Sequence, residues 1–232
     1  MTTFSKFNIY KNRHVGQRCV IVCNGPSLND MDLSFLKNEI VIGLNKIYLG
    51  FQRFNFYPKY YVAVNKKVLE QSVSQIKGLN CVKFLSNRCS EYFCDDALTN
   101  IIDTSSFNKN FSLDLKEGIQ EGYTVTYAAL QIAFYLGFSQ VVIIGMDHRF
   151  KYQGEPNEEK FHAGNDVNHF APGYFKGQKW DNPDLVNSEK FYSIAKRVYE
   201  EHGRVIIDAT LNGACQVFKK DSYRNIFKEV GC

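Results

Sequence analysis

Short apolar runs alternate along the chain with polar, turn-forming stretches. Residues 18–23 (RCVIVC) are apolar and β-branched, the pattern of a strand buried on both faces of a parallel sheet. Residues 40–44 (IVIGL) repeat that signal after LNDMDLSFLKNE, in which Leu33, Leu36 and Ile40 fall at helical spacing. Residues 60–64 (YYVAV) predict a third strand ending in Asn65, residues 68–76 a helix, and residues 81–85 (CVKFL) a fourth strand. Between residues 87 and 122 the period weakens, which reads as an irregular excursion with a short strand at 100–103. Residues 124–136 (TVTYAALQIAFYL) carry a helical apolar pattern, and Gly137 follows as its C-cap. The strongest strand pattern, Gln140–Ile144, leads into Gly145-Met146-Asp147. A helix over 187–202, closed by Gly203, and a last strand over 204–208 complete the pattern.

Residues 151–183 have no clear period. Connections this long inside compact domains are usually lids, binding loops or disordered segments, and the aromatic content here argues against disorder. The repeated strand–helix alternation predicts an α/β fold with a doubly wound, mainly parallel sheet of the Rossmann-like kind. We expect one domain over residues 1–232, with 151–183 as a lid-like loop within it.

Composition narrows the functional classes. A net charge of +4 suits an anionic substrate or an anionic membrane surface, but is too small to indicate nucleic acid. The aromatic share is 15%, with 19 Phe and 14 Tyr, enough for an aromatic core or a surface that meets sugars or bases. Seven cysteines, without a CxxC pair, fit a reducing compartment better than a disulfide framework. The first residues lack the apolar run of a signal peptide, and no stretch has the apolar length to span a bilayer. The expectation is a cytoplasmic protein, soluble or peripheral to the inner face of the membrane.

In an open parallel sheet, ligands bind beyond the carboxyl ends of the strands. Asn24, Gly25, Pro26 and Ser27 follow the first predicted strand, Asn45 the second, Asn65 the third and Asp147 the strong Gln140–Ile144 strand. Three asparagines at successive strand ends can hydrogen-bond a base, a ribose and a phosphate without adding charge. Each alone could equally end its strand or occupy a left-handed turn. The NGPS turn is neither a Walker loop nor a GxGxxG fingerprint. Gly25 lets backbone N–H groups approach an anion, Pro26 stiffens the turn and Ser27 offers a hydroxyl, together a seat for one phosphate.

The segments CNGPSLNDMDLSFL, GLNKIYL and YYVAVN resemble the N-terminal half of the bacterial CMP-sialic-acid-dependent sialyltransferases that build lipooligosaccharides. That resemblance implies a sialyltransferase-like (GT-A-variant) fold in which Asn24, Gly25, Ser27, Asn45 and Asn65 contact the cytidine nucleotide. TVTYAALQIAFYLGFSQVVIIGMD, running from Thr124 to Asp147, is similar to the same family's helix–strand–GxD segment and extends the nucleotide-binding set to Thr124 and Asp147. NHFAPGYF (168–175) and IIDATLNGACQVF (206–218) resemble bacterial surface-polysaccharide proteins that share a domain with archaeal 6-hydroxymethylpterin diphosphokinase.

The first resemblance implies a glycosyltransferase moving a sugar, a nonulosonate such as sialic acid, from a CMP-activated donor to a hydroxyl of a surface-glycan or lipid-linked acceptor. Such a reaction needs a base for the acceptor proton and hydroxyl or cationic groups for the departing phosphate. With one phosphate in the leaving group no cofactor or divalent metal is strictly required. His148, His162 and His169 are the base candidates, with His169 first because it lies in the lid-like loop. In the sialyltransferases the catalytic His lies four residues beyond an aligned NDxxH, a position that here falls near Gly173 and Tyr174. Tyr152 and Tyr174 are candidate phosphate-side hydroxyls, Arg149 is a charged alternative where the sialyltransferases have Tyr, and Trp180 either stacks on a sugar or closes the loop. The second resemblance implies a Mg²⁺-dependent diphosphokinase, for which Asp147, Asp166 and Asp181 are available without a recognised metal spacing. A nucleotide-binding or scaffold module without catalysis, working in polysaccharide assembly, is the third expectation; a homo-oligomer is open under any of the three.

Overall fold

The structure, a computed structural model, describes residues 6–228. In chain order the strands are β1 (Arg18–Val22), β2 (Val41–Leu44), β3 (Tyr60–Ala63), β4 (Val82–Ser86), β5 (Thr99–Ile102), β6 (Gln140–Ile144), β7 (Glu159–His162), β8 (Gln178–Asp181), β9 (Val205–Asp208) and β10 (Lys219–Lys220). The α-helices are α1 (Phe51–Phe54), α2 (Lys66–Gln71), α3 (Val73–Lys77), α4 (Val125–Leu136), α5 (Leu185–Glu201) and α6 (Tyr223–Ile226).

Eight strands form one sheet in the order β10-β9-β6-β1-β2-β3-β4-β5, with every neighbouring pair parallel. The apolar runs explain why: a strand buried on both faces has no polar side, so successive residues can serve opposite cores. In β1, Cys19 and Ile21 pack into one cluster with α4 and α5, whereas Val20 and Val22 pack into the other with Leu28, Val68 and Ile76. The doubly wound parallel α/β sheet expected from the sequence is thus present.

α4 is the central helix. Every residue from Thr126 to Leu136 is buried, so it has no solvent face, and it lies against β1, β2, β3 and α5. Thr124 caps its start through Oγ1, which accepts from Thr126 N–H at 3.3 Å, and Gly137 ends it at φ +95°. That conformation is open to glycine without a Cβ penalty.

Several elements depart from the sequence expectation. The helical spacing at 33–40 becomes only a 3-10 turn, Ser34–Asn38. The helix expected over 68–76 breaks at Ser72 into α2 and α3. Residues 151–183 are not structureless: β7 and β8 pair antiparallel within them. Of the cysteines, Cys232 lies outside the described residues; Cys19, Cys23, Cys81, Cys89, Cys94 and Cys215 are free thiols. Among the described residues no helix is long and apolar enough to cross a membrane.

Candidate functional site

From β1 the chain winds outward through β2 to β5, and from β6 it winds the other way through β9 and β10. The winding direction thus reverses between β1 and β6, and in sheets of this type ligands bind beyond the strand ends at such a switch point. A cavity of about 940 Å³ opens there, lined by the ends of β1, β2, β3 and β6, the start of α4, the hairpin segment and the first turns of α5.

The turn after β1 is locked to the turn after β6. Gly25 N–H donates to Gly145 O at 2.8 Å. Ser27 donates its N–H to Asp147 Oδ1 at 3.1 Å and its hydroxyl to Asp147 Oδ2 at 2.7 Å. Gly25 has an ordinary φ of −69°, so its glycine is required by space: a Cβ there would lie 1.8 Å from Asp147 Oδ2 and 2.6 Å from Gly145 O. Burial raises the Asp147 pKa, against the lowering effect of the Ser27 hydrogen bonds. The donors expected from sequence to face a phosphate are thus engaged within the protein. Gly25 and Asp147 line the cavity; Pro26, at the start of the 3-10 turn Pro26–Asp30, and Ser27 do not.

The three strand-end asparagines all line the cavity, and each has a structural duty as well. Asn24 donates from Nδ2 to Leu44 O at 3.0 Å, leaving Oδ1 buried without a partner. Asn45 sits in the left-handed region at φ +47°, and its Oδ1 is also buried and unpartnered. Asn65 caps α2, its Oδ1 accepting from Val68 N–H at 3.1 Å. A buried acceptor without a donor is costly, by about 1–3 kcal/mol, unless water or a ligand supplies one. Thr124 joins the lining, with Oγ1 3.3 Å from Tyr192 Oη.

Across the cavity, the NHF segment is tied to the same turn. Phe170 N–H donates to Asn24 O at 2.9 Å, and Asn29 Nδ2 donates to Phe170 O at 3.0 Å. His169, the residue before this doubly anchored Phe170, lines the cavity with its Nδ1 2.8 Å from Asp166 Oδ2. The Asp166 side chain is almost wholly buried, and its Oδ1 accepts from Asn168 N–H at 2.8 Å. Burial alone would raise the Asp166 pKa, yet the His169 hydrogen bond and charge bring it below its ordinary value. A carboxylate on Nδ1–H fixes the tautomer with its lone pair on Nε2, and Nε2 has no hydrogen-bond partner among the described residues. The ring is held by stacking on Tyr174, centroids 4.0 Å apart, and edge-on against Phe175 and Trp180.

The other candidates fall on both sides of this arrangement. Tyr174 lines the cavity but is buried, and its hydroxyl accepts from Lys46 N–H at 3.1 Å; burial pushes its pKa well up. Arg149 and Tyr152 are not among the lining residues. Trp180 packs within the loop segment, stacked on Phe175 with ring centroids 5.6 Å apart, and also lines the cavity. His162 is half-buried and does not line the cavity, with Nε2 3.2 Å from Asn165 O. His148 lines the cavity at φ +54°, with Nε2 3.0 Å from Glu189 Oε1. Asp181 accepts from Lys67 at 2.5 Å. Lys66, Lys67 and Arg88 bring positive charge to the lining, with Arg88 Nε also 3.3 Å from Glu121.

The roles of two residues are not legible in the sequence. Asp166 was noticed only as a spare acid, because its pairing with His169 needs the loop to turn back on itself, which it does through Asp166 N–H to Pro172 O at 2.6 Å. Lys46 is buried at 3% exposure, donating to Tyr174 O at 2.8 Å and to Gln178, with Nζ 4.6 Å from the Phe175 ring centroid. Burial takes its pKa down to about 8, against the pull of Asp166. The DxxH spacing from Asp166 to His169 is the one local signal for that pair; nothing in GLNKIYL distinguishes Lys46 from a solvated lysine.

A fully parallel sheet with a polar cavity at its switch point defines a Rossmann-like α/β protein with a candidate ligand crevice. More narrowly, the chain belongs to the family described as 6-hydroxymethylpterin diphosphokinase MptE-like, whose model matches residues 1–153. The match includes the asparagines and Asp147 but ends before Asp166 and His169. No curated protein matches the chain. Among solved structures, the chain is similar in fold to the MAf glycosyltransferase from Magnetospirillum magneticum AMB-1, with a TM-score of 0.56 and 15% identity over 92% of this chain. The chain spans 35% of that protein's length.

Proposed function

We propose that this protein is a glycosyltransferase that takes a sugar from a CMP-activated donor, a nonulosonate such as sialic acid, and transfers it to a hydroxyl of a surface-glycan acceptor. The observation that carries the reading is the His169–Asp166 pair, which shares one cavity with the strand-end asparagines. In this mechanism Nε2 of His169 takes the acceptor proton as the acceptor oxygen bonds to the anomeric carbon. The bond from that carbon to the phosphate oxygen breaks, and its electron pair leaves with CMP. Asp166 stabilises the resulting imidazolium and holds the ring in place. Asn24 Oδ1 and Asn45 Oδ1 wait for donors, which the amino group of cytosine or a ribose hydroxyl would supply.

The family description favours a second reading, a Mg²⁺-dependent pterin diphosphokinase. That chemistry calls for carboxylates free to meet a metal. Asp147 is committed to Ser27, Asp166 to His169 and Asp181 to Lys67, which supports the first reading over the second. The fold likeness to the MAf glycosyltransferase is compatible with glycosyl transfer. The test is His169→Ala. Transfer from, or hydrolysis of, a CMP-nonulosonate should fall by roughly 10²–10⁴-fold, the usual worth of a general base, while CMP affinity stays nearly unchanged. Unchanged turnover removes His169 from the chemistry.

A further inference from the structure

Beside this cavity, three side chains of metal-ligand type converge from separate elements. His148 comes from the loop after β6, Glu189 from α5 and Cys215 from the loop after β9, with their donor atoms all within 4.8 Å of one another. We infer that His148, Glu189 and Cys215 form a binding site for one divalent transition-metal ion of the zinc class, with a fourth position open to the cavity. This inference stands independently of the proposed glycosyl transfer.

Nitrogen, carboxylate oxygen and thiolate sulfur are the donor set zinc takes in four-coordinate sites, with three protein ligands leaving one position for water or substrate. Bond lengths of about 2.0–2.3 Å put tetrahedral ligand atoms roughly 3.3–3.8 Å apart. His148 Nε2 and Glu189 Oε1 are 3.0 Å apart, so closing the set needs a movement of only about 1 Å. Glu189 can make it, because its side chain is 47% exposed. Two ligands are preset: Cys215 is fully buried, and His148, whose side chain is only 7% exposed, holds a left-handed backbone that a non-glycine residue rarely adopts. The Cys215 loop is fixed by Ala214 N–H donating to Asp147 O at 2.9 Å, which couples it to the β1–β6 clamp. Neutral imidazole, carboxylate and thiolate together balance a dication, so the filled site carries no net charge into a largely buried place. Of the three ligands His148 lines the cavity, along with Ser188 and Tyr192, so the open position lies on that side.

Cobalt(II) is the probe, added to the full chain after stripping with EDTA. One equivalent should saturate the protein, giving a thiolate-to-cobalt charge-transfer band in the near ultraviolet and ligand-field bands in the visible. Cys215→Ser should abolish the charge-transfer band, whereas Cys94→Ser, at an exposed cysteine, should leave it intact. Glu189→Gln should weaken cobalt binding by at least about tenfold, the scale of even an outer-sphere loss, with an unchanged circular-dichroism spectrum. Absence of saturable bands, a charge-transfer band that survives Cys215→Ser, or unchanged affinity in Glu189→Gln would each overturn the site. The Glu189 variant keeps the test decisive should loss of the buried thiol unfold the protein.

Discussion

Replacing Gly25 with alanine would place a methyl carbon 1.8 Å from Asp147 Oδ2 and 2.6 Å from Gly145 O. Neither neighbour can retreat freely: Gly145 O accepts from Gly25 itself, and Asp147 holds both donors of Ser27. Swinging Asp147 away loses charge-assisted hydrogen bonds worth about 1.5–3 kcal/mol each, and forcing the methyl in costs about 1–3 kcal/mol in overpacking. Because φ is −69°, alanine pays no backbone strain and even recovers about 0.4–1 kcal/mol by restricting the unfolded chain. The net loss should be about 2–4 kcal/mol, a fall in Tm on the order of 10 °C for a domain of this size. Urea and thermal denaturation of Gly25→Ala measure it. Gly164→Ala is the control, since a Cβ there meets nothing within 4 Å, and its stability should change by less than about 0.5 kcal/mol. A Gly25→Ala protein as stable as the parent would refute the clamp.

Further outcomes follow from the same geometry. Asp166→Asn should keep the fold and CMP affinity but lower kcat by about 10²-fold or more, since the amide no longer fixes the tautomer or balances the imidazolium; steady-state kinetics on a CMP-nonulosonate separate kcat from KM. Asn24→Ala should weaken CMP binding about tenfold by calorimetry, through loss of one buried acceptor. For Lys46 the folded pKa is depressed to about 8 from 10.5, so between those values the unfolded chain binds more protons and stability rises with pH. Urea midpoints from pH 7.5 to 10.5 should therefore rise in the parent relative to Lys46→Met, and parallel profiles would contradict the buried charge.

The elements most readable in the sequence were those whose neighbours leave no choice. Gln140–Ile144 is flanked by parallel partners on both sides, so its apolar run has one solution. α4 begins at a threonine cap and ends at a left-handed glycine, both local signals. The β7–β8 hairpin was hidden because its strands are half exposed and polar, held by backbone pairing and by Lys67 against Glu159 and Asp181. α5 begins at Leu185, two residues earlier than the pattern implied, because Asp184 caps it through Asn187 N–H. At the site, strand ends were legible through asparagines, and His169 through its loop. Which donors remain free was not: Gly25 and Ser27 turn inward to residues about 120 positions away, a relation no local pattern encodes.

Nucleotide binding to the full chain in EDTA, followed by calorimetry, tests the central claim most directly. The account predicts one saturable site for CMP that needs no divalent ion, with affinity retained in His169→Ala and reduced in Asn24→Ala. Binding of ATP only with Mg²⁺, and none of CMP, would contradict it and leave the diphosphokinase reading in its place.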